Sequence, residues 1–275
     1  MNPKSLLDSY DIIPKKSLGQ NFLHDPNMQE KIVALAELTA DDRVLEVGPG
    51  TGLLTERLAA AAKQVIAVEV DERLQPVLED VVARHPNLSV IYDDILNVNV
   101  NNLFEGQPYV MVANLPYYIT SAILRHVLEV DGRPSRLVLT VQNEVAERLI
   151  AKPDDMSILS VSVQFYGKPQ IVARLKPSVF WPRPDVDSAV VRIDTYATPP
   201  VDVPDSRLFF RVVRAGFGQK RKQLKNSISG GLSLGAEKTA GLFEAAGIDS
   251  KRRAETLTLE EWARLTRAAV PVLGI

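Results

Sequence analysis

The chain has 275 residues and no cysteine, which excludes disulfide bonds, thiolate metal sites and cysteine nucleophiles. Its composition, 45% hydrophobic and 24% charged, is typical of a globular protein, and the N-terminus lacks the apolar run of a secretory signal. No segment is apolar for long enough to span a bilayer, so we expect a soluble, cytoplasmic protein that does not bind membranes. The three histidines are scattered along the sequence, and no metal cofactor is expected.

The first two-thirds of the chain alternates buried, β-branched segments with amphipathic ones, as parallel strands and their covering helices do. Strands are predicted at 43–47, 64–69, 88–92, 109–113 and 136–142. Helices are predicted at 27–38, 52–62, 73–84, 120–129 and 143–151. Two more strands, 157–166 and 170–175, are expected to form an antiparallel hairpin with which 189–194 pairs. The pattern predicts a doubly wound α/β sheet.

A proline-rich stretch at 197–204 predicts a linker, and the segments beyond it have helical periodicity. The expected domains are therefore 1–199, which holds the sheet, and 200–275, which is small and all-α. The second domain has 13 Lys and Arg against 8 Asp and Glu, although the whole chain has a net charge of −2. Helices are predicted in it at 205–216, 219–229, 236–246 and 259–270.

Glycines recur where the first strand is expected to meet its helix, in Glu46-Val-Gly-Pro-Gly-Thr-Gly52. Gly48 and Gly50 would let the backbone approach a ligand closely, and Glu69 ends the next strand, where a carboxylate can accept both hydroxyls of an adenosine ribose. Asp94, after the third strand, could bond an adenine amine. The third glycine comes one residue too early for a nicotinamide dinucleotide, so S-adenosylmethionine is the favoured ligand. The alternative is a tight turn beside a solvated strand end.

The sequence Asn-Leu-Pro-Tyr at 114–117 follows the fourth strand. The lone pair of an adenine N6 amine is delocalised into the ring, so the amine is a poor nucleophile. The side-chain oxygen of Asn114 and the carbonyl of Leu115 can each accept one of its N–H groups. Pro116 stiffens the turn, and Tyr117 offers a face for base stacking. These residues predict methyl transfer to adenine N6 by alignment; the alternative is a proline turn that caps the next helix.

Two further segments are candidates for contact with RNA. Phe180, in Phe-Trp-Pro-Arg-Pro, could cover the second face of a flipped-out base, although an apolar plug stiffened by prolines is the alternative. Residues 207–225 contain seven basic residues and no acid. A solvated helix face usually mixes the two signs of charge, so this segment favours a local anionic partner, such as the phosphate groups of a nucleic acid.

Several segments, in this order along about 15–270, together resemble the ribosomal RNA adenine dimethyltransferases, and the small-subunit (16S) type in particular. They are Ser17–Leu23, Glu46–Gly50, Asn114–Ser121, Val141–Arg148, Phe180–Pro184, Val186–Val190, Phe217–Lys222 and Arg253–Leu257. The resemblance implies a Rossmann-like sheet that binds S-adenosylmethionine and a helical domain that binds RNA. It also implies that a monomer dimethylates two adjacent adenosines in the 3′-terminal hairpin of 16S rRNA, in the small ribosomal subunit or its precursor.

The resemblance assigns roles to three groups of residues. The cofactor site would comprise Asn21, Leu23, Gly48, Gly50, Glu69, Asp94 and Asn114. The target adenine would be held by Asn114, Leu115, Pro116, Tyr117 and Phe180. RNA would be bound by Arg214, Lys220, Arg221, Lys222 and Lys225. Asn143, where many relatives have Lys, and the short segment 152–156 depart from the family pattern in regions expected to contact RNA.

Three other functions fit parts of the pattern. An enzyme that methylates large-subunit rRNA and confers antibiotic resistance would share the catalytic motifs, but the segment 253–257 fits the small-subunit type better. A ribosome assembly factor without catalysis would not need the intact motif at 114–117 or the carboxylate of Glu69. A nicotinamide-dependent oxidoreductase is disfavoured by the glycine spacing.

Overall fold

A computed structural model describes residues 3–274 of the chain. They divide into two compact units, the first comprising residues up to 146 together with 168–195, and the second 147–167 together with the residues from 196 onward. The longer segment of the second unit begins at 196, and its other segment, 147–167, lies within the range 1–199 of the first expected domain. No helix within 3–274 combines the length and the apolar character needed to cross a membrane.

The first unit is built on a seven-stranded sheet with the order β4-β3-β2-β5-β6-β9-β7. Its strands β2 to β6 are parallel, and β9 runs antiparallel to β6. A separate two-stranded antiparallel sheet pairs β1 with β8. The strands are β1 Phe22–Leu23, β2 Arg43–Val47, β3 Gln64–Glu69, β4 Leu88–Tyr92, β5 Val110–Asn114, β6 Arg136–Gln142, β7 Gly167–Leu175, β8 Phe180–Trp181 and β9 Ser188–Thr195.

Helices follow most of the strands, as expected for crossover connections in a parallel sheet. The buried side chains of the central strands explain why both faces of the sheet need such cover. The helices are α1 Pro3–Asp8, α2 Pro26–Ala36, α3 Leu53–Ala61, α4 Gln75–Val82, α5 Thr120–Leu128, α6 Asn143–Leu149, α7 Ile158–Tyr166, α8 Ser206–Phe217, α9 Leu224–Leu232, α10 Ala236–Ala246 and α11 Leu259–Leu273.

The predicted strand at 157–166 is wrong, because this segment forms α7. Val161 and Val163 are buried. A capping box starts the helix: the Ser157 hydroxyl accepts from the Ser160 amide, and the Ser160 hydroxyl accepts from the Ser157 amide. The ring of Phe165 stacks on that of Phe209 in α8, with 4.5 Å between ring centroids. Tertiary packing within the second unit thus outweighs the strand propensity of the segment.

The predicted helix at 219–229 begins five positions late, at Leu224. Arg221 adopts a left-handed backbone, with φ of 66°, and Gln223 is extended, so 218–223 form a turn. The turn separates α8 from α9 and places consecutive basic side chains outside any helix. The short elements α1, β1 and β8 were not predicted from the sequence.

Candidate active site

The parallel strands of the first unit end at one edge of the sheet, where a pocket is found. Strands β2 to β5 pair in register, so the residues that follow them arrive together. The pocket is lined by eight of the predicted site residues on or beyond these strand ends and by one from the N-terminal segment. They are Gly48, Gly50, Glu69, Asp94, Asn114, Leu115, Pro116, Tyr117 and Asn21.

The glycine loop after β2 requires its glycines. Gly48, Gly50 and Gly52 have φ values of 73°, 57° and 76°, in the left-handed region that other residues rarely adopt. A Cβ on Gly50 would lie 2.8 Å from a ring carbon of Phe22, and one on Gly52 would lie 2.7 Å from a methyl group of Val81. The loop therefore brings its backbone to the pocket and packs tightly behind it.

Two buried carboxyl groups lie beside this loop. Glu69 accepts hydrogen bonds from the amides of Gly50, at 3.1 Å, and Asp71, at 2.9 Å, one on each oxygen. Burial raises the pKa of Glu69, although these two hydrogen bonds act to lower it. Burial also raises the pKa of Glu46 to about 8, and the Glu69 carboxylate adds to the rise. One oxygen of Glu46 has no hydrogen-bond partner. A carboxylate oxygen has two lone pairs, so each oxygen of Glu69 can still accept from a ligand.

The N-terminal segment fixes the orientation of Asn114. The side-chain nitrogen of Asn114 donates to the main-chain oxygen of Asn21 at 2.8 Å, which leaves the side-chain oxygen as the acceptor for another group. Gln20 anchors the same segment through Asp71, at 2.8 Å. Burial disfavours ionisation of Asp71, but hydrogen bonds from Arg73 and Gln20 outweigh burial and lower its pKa.

Tyr117 is held by a residue that sequence reasoning missed. Its hydroxyl lies 2.9 Å from the hydroxyl of Ser188, the first residue of β9, which is 0% exposed. Burial raises the pKa of Tyr117, so the phenol stays neutral at physiological pH. The carbonyl of Pro116 accepts from the side chain of Thr120, which joins the turn to α5. The signal for Ser188 in the sequence is its place within 186–190, one of the segments that carry the family resemblance.

The structure does not bring two predicted residues to the pocket. The side chains of Leu23 and Phe180 are 7% and 3% exposed and belong to the hydrophobic core of the first unit, where their backbones pair across β1 and β8. Both side chains are apolar, and their burial in the core removes their surface from water. Asp94 does line the pocket, and one of its carboxylate oxygens accepts from the amide of Leu96.

The five predicted RNA-binding residues lie in the second unit. All are exposed, and none forms an ion pair within the described range 3–274. Arg214 is in α8, Lys225 is in α9, and the other three occupy the turn between them. They are Arg214, Lys220, Arg221, Lys222 and Lys225.

The first unit combines a parallel sheet, a glycine loop after β2, a buried acid at the end of β3 and an Asn-Leu-Pro-Tyr turn at the end of β5. This combination defines the class of Rossmann-like methyltransferases. The family model described as ribosomal RNA adenine dimethylase matches residues 14–269, and the chain belongs to this family.

Known relatives agree with this assignment. A protein of Dehalococcoides mccartyi named ribosomal RNA small subunit methyltransferase A is 44% identical over 95% of this chain and 90% of its own length. The protein of that name from Clostridium acetobutylicum is 42% identical over 96% and 97%.

Solved structures share the fold. That of the 23S rRNA methyltransferase ErmE has a TM-score of 0.69 and 29% identity, covering 90% of this chain and 99% of its own. A dimethyladenosine transferase from Plasmodium falciparum has a TM-score of 0.77 and 24% identity, covering 92% and 98%. The prediction of a Rossmann-like methyltransferase fold with a helical C-terminal region is confirmed.

Proposed function

We propose that this protein transfers methyl groups from S-adenosylmethionine to the N6 amines of two adjacent adenosines in the 3′-terminal hairpin of 16S rRNA. The substrate would be the small ribosomal subunit or its precursor, and the protein would act as a monomer. Relatives named for the small subunit are 42% to 44% identical over at least 95% of the chain, against 29% for the structure named for 23S rRNA. This difference supports the small-subunit substrate.

The pocket residues fit the proposed cofactor. Its lining offers hydrogen-bond acceptors with few cations, which suits a ligand that carries a sulfonium and an ammonium group. Glu69 would accept the ribose hydroxyls, Asp94 the adenine amine, and the glycine backbone would lie against the amino-acid part. When bound, S-adenosylmethionine supplies a methyl group on an electrophilic sulfonium. Leu23 would support this site from the core, without contact.

The observation that carries the proposal is the orientation of Asn114. Because the side-chain nitrogen is bonded to Asn21, the side-chain oxygen is available to accept one N–H of the target amine. The carbonyl of Leu115 would accept the other. Two such bonds draw the amine nitrogen toward tetrahedral geometry. Its lone pair is then no longer delocalised into the ring and can attack the methyl group. A side chain that is already fixed loses little entropy when the target arrives.

The target base must leave its stack to reach this pocket. Tyr117 would then stack on it, and the hydrogen bond to Ser188 would keep the ring in place. The cations at Arg214, Lys220, Arg221, Lys222 and Lys225 would bind phosphate groups that flank the target. These contacts would set affinity and position, whereas the pocket would set the chemistry.

The test is methyl transfer to small subunits whose rRNA lacks dimethyladenosine. We expect the purified protein to convert two adjacent adenosines of 16S rRNA to N6,N6-dimethyladenosine, read by mass spectrometry of nuclease fragments. Large subunits from the same cells serve as the matched control. Methylation of 23S rRNA instead would support the large-subunit alternative. Absence of transfer to either, with assembly defects in a deletion strain, would support a non-catalytic assembly factor. Light scattering during size exclusion tests the monomer.

A further inference from the structure

The second unit contains a cleft between α8 and α9. From α8 it is lined by Arg211, Arg214 and Ala215, and from α9 by Ser227 and two glycines. The spacings are the same on both helices, i, i+3 and i+4, which places each set of three on one helical face. The cleft is thus formed by two facing helix surfaces within one unit.

The bottom of the cleft is formed by Gly230 and Gly231, which have no side chains. A Cβ on Gly231 would lie 2.6 Å from the Cβ of Ala215, so the two helices touch there. Gly230, one residue earlier, is exposed, and a Cβ on it would meet only the side-chain nitrogen of Gln219, at 3.3 Å. An incoming group can therefore approach the helix surface closely at Gly230, with an amide donor beside it.

The polar groups of the cleft are mostly donors. The hydroxyl of Ser227 is in a residue only 1% exposed and has no hydrogen-bond partner, an arrangement that is rare in native proteins. Arg211 and Arg214 are exposed and form no ion pair among residues 3–274. No acidic residue lines the cleft. Two guanidinium groups, a hydroxyl and an amide N–H match the acceptor oxygens of a phosphate group.

We propose that this cleft is a binding site for one phosphodiester group of RNA, with Arg211, Ser227 and Gly230 as residues of the site beside Arg214. The inference rests on the proposed function for the identity of the polyanion. It differs from a diffuse basic surface because it requires an open space over Gly230 as well as positive charge.

The test fills the space without changing the charge. We expect Gly230→Leu to weaken binding of a fluorescent RNA hairpin with two adjacent loop adenosines by about 10-fold, and to reduce the slope of log K against log salt by about 0.7 to 0.9, the value for one phosphate contact. Gly241→Leu is the matched control, since Gly241 is also an exposed glycine within a helix of this unit and nothing surrounds it. It should leave both quantities unchanged.

Ser227→Ala is a second test, and it distinguishes a role of the hydroxyl in RNA binding from a role in stability. Removal of a buried, unpartnered hydroxyl should leave the melting temperature the same or higher, while RNA binding weakens by about 3-fold. If both variants bind RNA as the wild type does, with the same salt slope, the cleft is not a phosphate site. An equal loss in Gly241→Leu would lead to the same conclusion.

The two proposals fail in different ways. A wild-type protein that methylates small subunits but whose RNA binding is indifferent to Gly230→Leu would refute only the cleft. A wild-type protein that binds RNA through Gly230 but methylates no rRNA would refute the proposed function and leave the cleft standing.

Discussion

The polar side chains of the pocket in the first unit have partners within the protein, whereas those of the α8–α9 surface in the second unit form no ion pair among the residues that the structure describes. The α8–α9 surface comprises Arg214, Lys220, Arg221, Lys222 and Lys225. In the pocket, Asn114, Glu69 and Tyr117 are each bonded to another group of the protein. On the α8–α9 surface, Arg214 and Arg221 have no ion-pair partner within residues 3–274, and the same is true of the neighbouring cations.

The chain does pair its arginines elsewhere. Arg192 bonds to Glu37 and Asp194, and Arg73 bonds to Asp71. A site that must align reacting atoms gains from side chains fixed in advance. A site that must hold a polyanion gains from charges that no carboxylate neutralises. Changes in the pocket should therefore alter turnover and be insensitive to salt, whereas changes on the surface should alter affinity and its dependence on salt.

The largest effect is expected from Asn114→Ala. Loss of the amide oxygen removes an acceptor for the target amine, so kcat should fall by about 100- to 1,000-fold, the range seen when one fixed polar contact to a transition state is lost. The cofactor dissociation constant, measured by calorimetry, should change far less. Equal losses in binding and turnover would show that Asn114 is only structural.

Asn21→Ala is the matched control for this experiment. The bond to Asn114 ends on the main-chain oxygen of Asn21, so the substitution keeps that bond. Because Asn21 is assigned to the cofactor site, the variant should bind S-adenosylmethionine more weakly, but its turnover at saturating cofactor should remain near that of the wild type. A collapse of turnover in this variant would mean that the side chain at position 21, and not the backbone, organises the pocket.

Glu46, buried beside the glycine loop, has one oxygen without a hydrogen-bond partner and allows the comparison to be tested further. The pKa of Glu46 is about 8 in the folded protein, against 4.5 for a free glutamate, so the native state retains a proton that the unfolded chain releases. Stability should be greatest below about pH 4.5 as far as this group is concerned, and should fall as the pH rises to about 8, by at most about 1.4 kcal/mol per pH unit.

Glu46→Gln, which is neutral at every pH, should remove that part of the fall. Urea denaturation of both proteins at a series of pH values measures it. Parallel curves would mean that Glu46 is ionised in the native state, and that the interior beside the glycine loop holds an unpaired charge.

A smaller effect is expected when Arg221 and Lys222 are both replaced by Ala. Affinity for small subunits or an RNA hairpin should fall by about 10-fold at moderate salt, and the salt slope should drop by about 1.4 to 1.8, for two phosphate contacts. Turnover at saturating RNA should be unchanged. Lys238→Ala with Lys251→Ala is the control, since it removes the same charge from exposed positions of the same unit. Identical slopes in the two double variants would remove any special role for 207–225.

The smallest effect is expected from Ser188→Ala. Tyr117 would keep its ring but lose the bond that positions it, so kcat should fall by about 3-fold with little change in the salt slope. Tyr117→Phe should have a similar effect, and the double variant should be no worse than either single one. Additive losses would show that the two hydroxyls act independently.

Much of this site could be predicted because each of its residues lies at the end of a strand or directly after it in the sequence. Gly48, Glu69 and Asn114 each follow or end a parallel strand, and parallel strands end at a common edge. To predict that these residues lie in one pocket, it was enough to assign the strands. The identity of the fold followed in the same way from alternating buried and amphipathic segments.

The remaining features depend on contacts between distant parts of the chain. Ser188 reaches Tyr117 only because β9 inserts antiparallel beside β6, and no local pattern specifies that order. The helix at 158–166 has the residue preferences of a strand, and its aromatic packing on α8 decides otherwise. The neighbours of Phe180 in sequence allow either a stacking ring or an apolar plug, and only the packing of the folded chain buries this side chain in the core.

The bond between Asn114 and Asn21 has a consequence for how this enzyme can vary. Its acceptor is a peptide oxygen, which every amino acid provides, so replacement of residue 21 leaves the acceptor in place. Removal of one residue from 19–23 would instead move a different carbonyl to that point, or none. Drift in the identity of residue 21 should therefore leave the orientation of the Asn114 side chain unchanged, whereas a change in the length of this stretch should not.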